Sequence, residues 1–211
     1  YYSRGQYRVA IEEAEIALRA NNNYAPAYNV LGLVYMDLRE DGRAQINFER
    51  AVKISPNDAD VHNNYGWFLC RNSAQIDLAI DHFMQAIKDS LYEIPEKSYT
   101  NAGLCVLKRN DFEQAKEYLQ KALIIRPDYP LAVLGLIQVD YLSRNLRVAQ
   151  TNITRYIQSY PLSADSLWLA IRIEHALGND QAVASYGAQL QRRFPDSNEA
   201  RSLREGKLRD E

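Results

Sequence analysis

Residues 25–58 read APAYNVLGLVYMDLREDGRAQINFERAVKISPND. Apolar side chains recur at helical spacing on both sides of the polar break Arg39-Glu40-Asp41-Gly42, so the stretch predicts two helices joined by a short turn. Gly32 and Ala44 are small enough to let the two helices cross closely, and Phe48 fills the space beside them.

The order of residues is specific. An aromatic (Tyr28), Leu31-Gly32 and Tyr35 on the first helix, then Ala44, Phe48, Ala51 and Pro56 on the second, match the tetratricopeptide pattern almost completely. Outward from this stretch the pattern repeats. Pro127, Pro161 and Pro195 are 34 residues apart, the tetratricopeptide length. Small residues open the successive second helices at Ala10, Ala44, Ala79, Ala115 and Ala149, with Val183 in the last. Gly66 and Gly103 follow Gly32 on the first helices, and Phe83 and Leu119 follow Phe48. The turns Lys108-Arg109-Asn110-Asp111, Ser143-Arg144-Asn145 and Gly178-Asn179-Asp180 divide the later pairs with residues that cap helices and tolerate left-handed backbone.

The expected fold class is therefore all-α: a tetratricopeptide-repeat right-handed superhelical solenoid of about five full repeats. The register divides a single domain, 1–211, into a partial repeat 1–24 and the repeats 25–58, 59–95, 96–129, 130–163 and 164–197. A charged capping helix over 198–211 closes it. The third repeat is irregular, with extra residues expected in loops at 71–75 and 89–95. The register starts inside a repeat, with Tyr1 near the end of a first helix. Upstream residues, with any signal or anchor, are expected to be missing from this chain.

Composition narrows the chemistry. With 46% hydrophobic residues, 25 Lys and Arg against 27 Asp and Glu, and a net charge of −2, the chain can bury a core and carries no basic field for nucleic acid. No apolar run is long enough to cross a bilayer. No nucleophile, base and orienter group together, and no phosphate loop is present, so neither an enzyme nor a cofactor is expected. His62 and His82 can meet across one repeat, but no third ligand is spaced to join them, so no metal is expected. Cys70 and Cys105 leave two options open, one bridge or two inert core thiols.

Such repeats offer a concave face lined by first helices. The register places Asn29, Asn63, Trp67, Leu104, Leu134, Tyr141, Trp168 and Arg172 among the candidates for a protein-binding groove. Trp, Tyr and Arg are the types most enriched at binding hot spots. A chaperone-type carboxylate clamp is only partly matched, by Asn64 and Lys97, which leaves a cytosolic cochaperone or regulatory interaction module as the alternative.

Three stretches are more particular than the repeat pattern. They are Asn63-Asn64-Tyr65-Gly66-Trp67-Phe68-Leu69-Cys70, then Leu91 to Pro95 with Asn101-Ala102-Gly103-Leu104-Cys105, and Leu167 to Leu177 with Ser185 to Leu190 and Phe194-Pro195-Asp196-Ser197. In these the chain resembles the PilF/PilW family of tetratricopeptide lipoproteins of type IV pilus biogenesis. The resemblance implies a non-enzymatic scaffold on the periplasmic face of the bacterial outer membrane, held by a lipid anchor absent from this chain. It implies partners in the pilus machinery, above all the secretin, whose assembly or stability it would support. Disulfides persist in such an oxidising compartment, so the resemblance also implies a Cys70–Cys105 bond.

Overall fold

The computed structural model describes residues 1–89 and 91–208, and among these every regular element is helical. The chain forms two compact units, Tyr1–Ile125 and Arg126–Glu211. Ser90, in the second insertion, and the last three residues of the expected cap lie outside the described residues.

The first unit opens with a 3-10 turn, Tyr2–Arg4, closed by Gly5 in the left-handed region. It continues through α1 (Tyr7–Ala20), α2 (Ala25–Asp37), α3 (Asp41–Ile54), α4 (Ala59–Leu69), α5 (Ile76–Ile87), α6 (Pro95–Leu107) and α7 (Phe112–Ile125). Proline in the first turn of α2 and α6 sets the helical backbone where no amide donor is needed, and Asp58 caps α4 by accepting from the Val61 amide at 3.0 Å. The pairs α2/α3, α4/α5 and α6/α7 are the helix hairpins of the repeat. Their crossings are as close as the sequence demands: a Cβ on Gly32, Gly66 or Gly103 would lie 2.7, 2.9 or 2.7 Å from Phe48, Phe83 or Leu119. One continuous apolar cluster, running from Ala14 through Leu31, Phe48 and Tyr65 to Phe83 and Cys105, holds this unit together.

The second unit contains α8 (Pro130–Leu142), α9 (Leu146–Ser159), α10 (Ala164–Ala176), α11 (Asp180–Arg193) and α12 (Asn198–Arg204). Here the same crossing is filled differently. Thirty-four residues beyond Gly103 and Leu119 stand Ile137 and Ile153, and 34 further on stand Ile171 and Gly187. All four are buried. Two medium side chains stand at these positions in α8/α9, and in α10/α11 the glycine stands on the second helix, where an added Cβ would meet Leu203 of α12 at 3.2 Å.

The turn between the helices of a pair also repeats. Arg39, Asn110, Arg144 and Gly178 all have φ between 59° and 74°. The irregular repeat lacks this residue and makes its turn with a 3-10 helix, Ser73–Gln75, started by Asn72 accepting from the Ala74 amide at 3.0 Å. The C-terminal cap is shorter than expected. Ser197 starts α12 by accepting from the Ala200 amide, but Gly206 turns left-handed and the helix ends at Arg204.

Candidate protein-interaction site

In the first unit the first helices α2, α4 and α6 are joined by a ladder of carboxamides. Asn64 Nδ2 donates to Asn29 Oδ1 at 3.3 Å, and Asn101 Nδ2 and Ser98 Oγ both donate to Asn63 Oδ1 at 3.0 Å. This corrects one expectation. Asn63 has 1% of its surface exposed and satisfies buried polar groups between repeats, so it cannot meet a ligand. Asn29 and Leu104 are half-buried, while Trp67 is 38% exposed on α4. An indole left that open is not needed to fill a core.

Beside these lies an apolar cleft of about 440 Å³ between α1 and α2, lined by Tyr2, Ala10, Ala14, Tyr24, Ala27 and Val30. The register singled out Ala10 for helix crossing. The spacing of Ala10, Ala14 and Ala17 along one face of α1 was the signal for the cleft.

In the second unit Leu134 and Trp168 are half-buried, and Trp168 packs against the cluster of Leu167, Ile171 and Leu190. Tyr141 is only 5% exposed, with the Arg172 guanidinium 4.8 Å from its ring centre. Tyr141 is thus a core residue, and Arg172 is the half-buried cation covering it. Buried Glu174 accepts from Gln150 Nε2 at 2.9 Å and Asn179 Nδ2 at 2.9 Å, tying α9, α10 and the start of α11.

The two cysteines, at the ends of α4 and α6, are joined by a disulfide with Cα atoms 5.6 Å apart. His62 and His82 also meet: their Nδ1 atoms are 2.8 Å apart, and His62 Nε2 is 2.9 Å from the Pro56 carbonyl oxygen. Among the described residues no group of three or more His, Cys, Asp or Glu could hold a metal ion. Burial, reinforced by His62, pushes His82 down to about 4.

Comparison with known proteins agrees with the repeat architecture. Tetratricopeptide-repeat sequence models match residues 25–58 and 96–129, and a second such model matches 47–88. Type IV pilus assembly protein PilF of Pseudomonas aeruginosa is 30% identical over 199 residues, 94% of this chain and 79% of that protein. The crystal structure of PilW, a widely conserved type IV pilus biogenesis factor, is 35% identical with a TM-score of 0.82, covering 96% of this chain and 93% of that one. The P. aeruginosa PilF structure gives 29% identity and a TM-score of 0.74, over 98% and 92% of the two chains. The chain belongs to the family of tetratricopeptide proteins that includes PilF and PilW.

Proposed function

We propose that this protein is a non-catalytic scaffold of type IV pilus biogenesis, acting in the assembly or stability of the outer-membrane secretin. It works at the periplasmic face of the outer membrane, tethered by a lipid carried outside this chain. Kinship with PilF and PilW over nearly the whole chain is the observation that carries this reading. The Cys70–Cys105 disulfide fits an oxidising compartment. Trp67 and Leu104 in the first unit, and Trp168 in the second, are the candidate anchors for an apolar partner segment.

The test is made in cells lacking the protein and complemented with wild-type, Trp67→Ala or Trp168→Ala forms, by measuring secretin multimers and their co-purification with each form. Loss of multimers and of binding in Trp67→Ala is the expected result. Unchanged multimers and binding in both variants would reject both candidate anchors. Tyr141→Ala is unsuitable, because removing a buried ring destabilises the unit whatever it binds. Fractionation of the full-length protein tests the compartment: recovery with the cytosol would support a cochaperone instead.

A further inference from the structure

A second, polar cleft of about 450 Å³ lies in the first unit at the C-terminal ends of its first helices. Arg39 follows α2, Arg71 follows α4 and Lys108 follows α6, so three successive repeats each send one cation into the same space. Asp41 is the one carboxylate among the cleft's described lining residues, and it pairs with Arg71 at 3.0 Å. Three cations thus share one internal counter-charge.

Two of the three cations, Arg71 and Lys108, are held in place by backbone. Arg71 Nη1 donates to the Met36 carbonyl at 3.0 Å, and Lys108 Nζ donates to the Cys70 carbonyl at 2.9 Å. Each reaches the end of the preceding repeat's first helix, where the terminal carbonyls and the helix dipole favour a positive charge. The disulfide fixes the ends of α4 and α6 from which Arg71 and Lys108 project. The cost of ordering the Arg71 and Lys108 side chains is therefore met before any ligand arrives. Burial, with a lesser contribution from the nearby Arg71, lowers the Lys108 pKa.

We infer that this cleft is a second binding site, separate from the apolar groove, and that it receives an acidic segment of a protein partner. Carboxylate suits the planar arginine fork, as the Asp41–Arg71 pair already shows. Phe68 gives the cleft an apolar wall, and Gln45 and Gln75 bring carboxamides that accept as well as donate hydrogen bonds. A peptide backbone uses both; a phosphate group, which needs donors, does not.

The experiment measures fluorescence anisotropy of a labelled Gly-Glu-Gly-Glu-Gly-Glu amide, with the Gly-Gln analogue and inorganic phosphate as comparisons, on the oxidised protein at low salt. The wild type is expected to bind the glutamate peptide saturably and not the glutamine analogue. Arg39→Asn, whose new residue tolerates the left-handed backbone, and Lys108→Gln should each weaken binding about tenfold, the effect of one charge-assisted hydrogen bond. Arg8→Gln, on the exposed face of α1, should leave it unchanged. Absence of saturable binding overturns the inference, as does an equal loss in Arg8→Gln, which would mean diffuse attraction. Phosphate displacing the peptide as well as unlabelled peptide does would overturn the peptide assignment in favour of a simple oxyanion site. Should Lys108→Gln fail to fold, Arg39→Asn alone decides, since Arg39 is exposed and anchors no helix end.

Discussion

Gly32 and Phe48 occupy one space: a methyl group on Gly32 would lie 2.7 Å from two carbons of the Phe48 ring. Gly32→Ala is expected to destabilise by about 1–3 kcal/mol through overpacking, and Phe48→Leu relieves the clash because the three nearest atoms all belong to that ring. The double variant Gly32→Ala/Phe48→Leu should therefore unfold at higher urea than the sum of the single losses predicts. Additivity within about 0.5 kcal/mol would show that the two residues do not compete. The same rescue should fail at Gly66, where the Ala79 carbonyl oxygen, a backbone atom, also lies 3.0 Å from the added methyl.

Arg144 and Gly178 hold the same left-handed turn position in consecutive pairs, at φ 67° and 74°. An L side chain there costs about 1–2 kcal/mol, part of which glycine returns as unfolded-state entropy. Arg144→Gly is expected to stabilise by about 0.5–1 kcal/mol and Gly178→Ala to destabilise by about 1 kcal/mol. Thermal unfolding of both variants checks the pair. A stabilising Gly178→Ala would contradict it, since that Cβ meets nothing within 4 Å and the left-handed strain must then outweigh only the unfolded-state entropy gain.

These two cases show what the sequence makes legible. The Gly32/Phe48 crossing is readable because the pattern states both partners at fixed spacing. The turn is half readable: two of its four left-handed residues are arginines, which carry no turn signature. Register assigns Asn63 and Tyr141 to a face, but burial depends on neighbours in other repeats. Ser98 and Asn101 close over Asn63, and Arg172 covers Tyr141. The cation cleft was illegible for a related reason. Arg71 reaches back 35 residues to Met36 while Lys108 reaches back 38 to Cys70, and the irregular repeat breaks the common spacing.

Cys70 and Cys105 close a loop across the irregular repeat, with a sequence separation of 35. In the chain-entropy picture such a bridge stabilises by about 3–4 kcal/mol. The oxidised protein is expected to show no free thiol under denaturing, non-reducing conditions, and Cys70→Ser/Cys105→Ser should lose stability of that order in urea. Two reactive thiols in protein isolated from its native compartment would refute the bond.

His82, paired with His62, makes the first unit sensitive to acid. His62 Nε2 donates to the Pro56 carbonyl, so its Nδ1 is the acceptor and His82 Nδ1–H the donor. Around His82 stand His62, which opposes its charge, Asp81, which favours it more weakly, and the ring of Tyr65 at 4.6 Å. Tyr65 is itself pushed up to about 12 by burial and Glu49, and it stays neutral throughout this range. With His82 held down to about 4 in the fold and near the ordinary 6.5 when unfolded, the unfolded chain takes up the proton first. Stability is therefore full above pH about 6.5 and is lost as pH falls toward about 4, by on the order of 1–2 kcal/mol once solvent screening is allowed for. Urea unfolding at pH 7, 5.5 and 4.5 should show this extra loss in the wild type and not in His82→Gln, which keeps a donor for His62 but does not titrate. Parallel pH profiles for the two proteins would remove His82 as the cause.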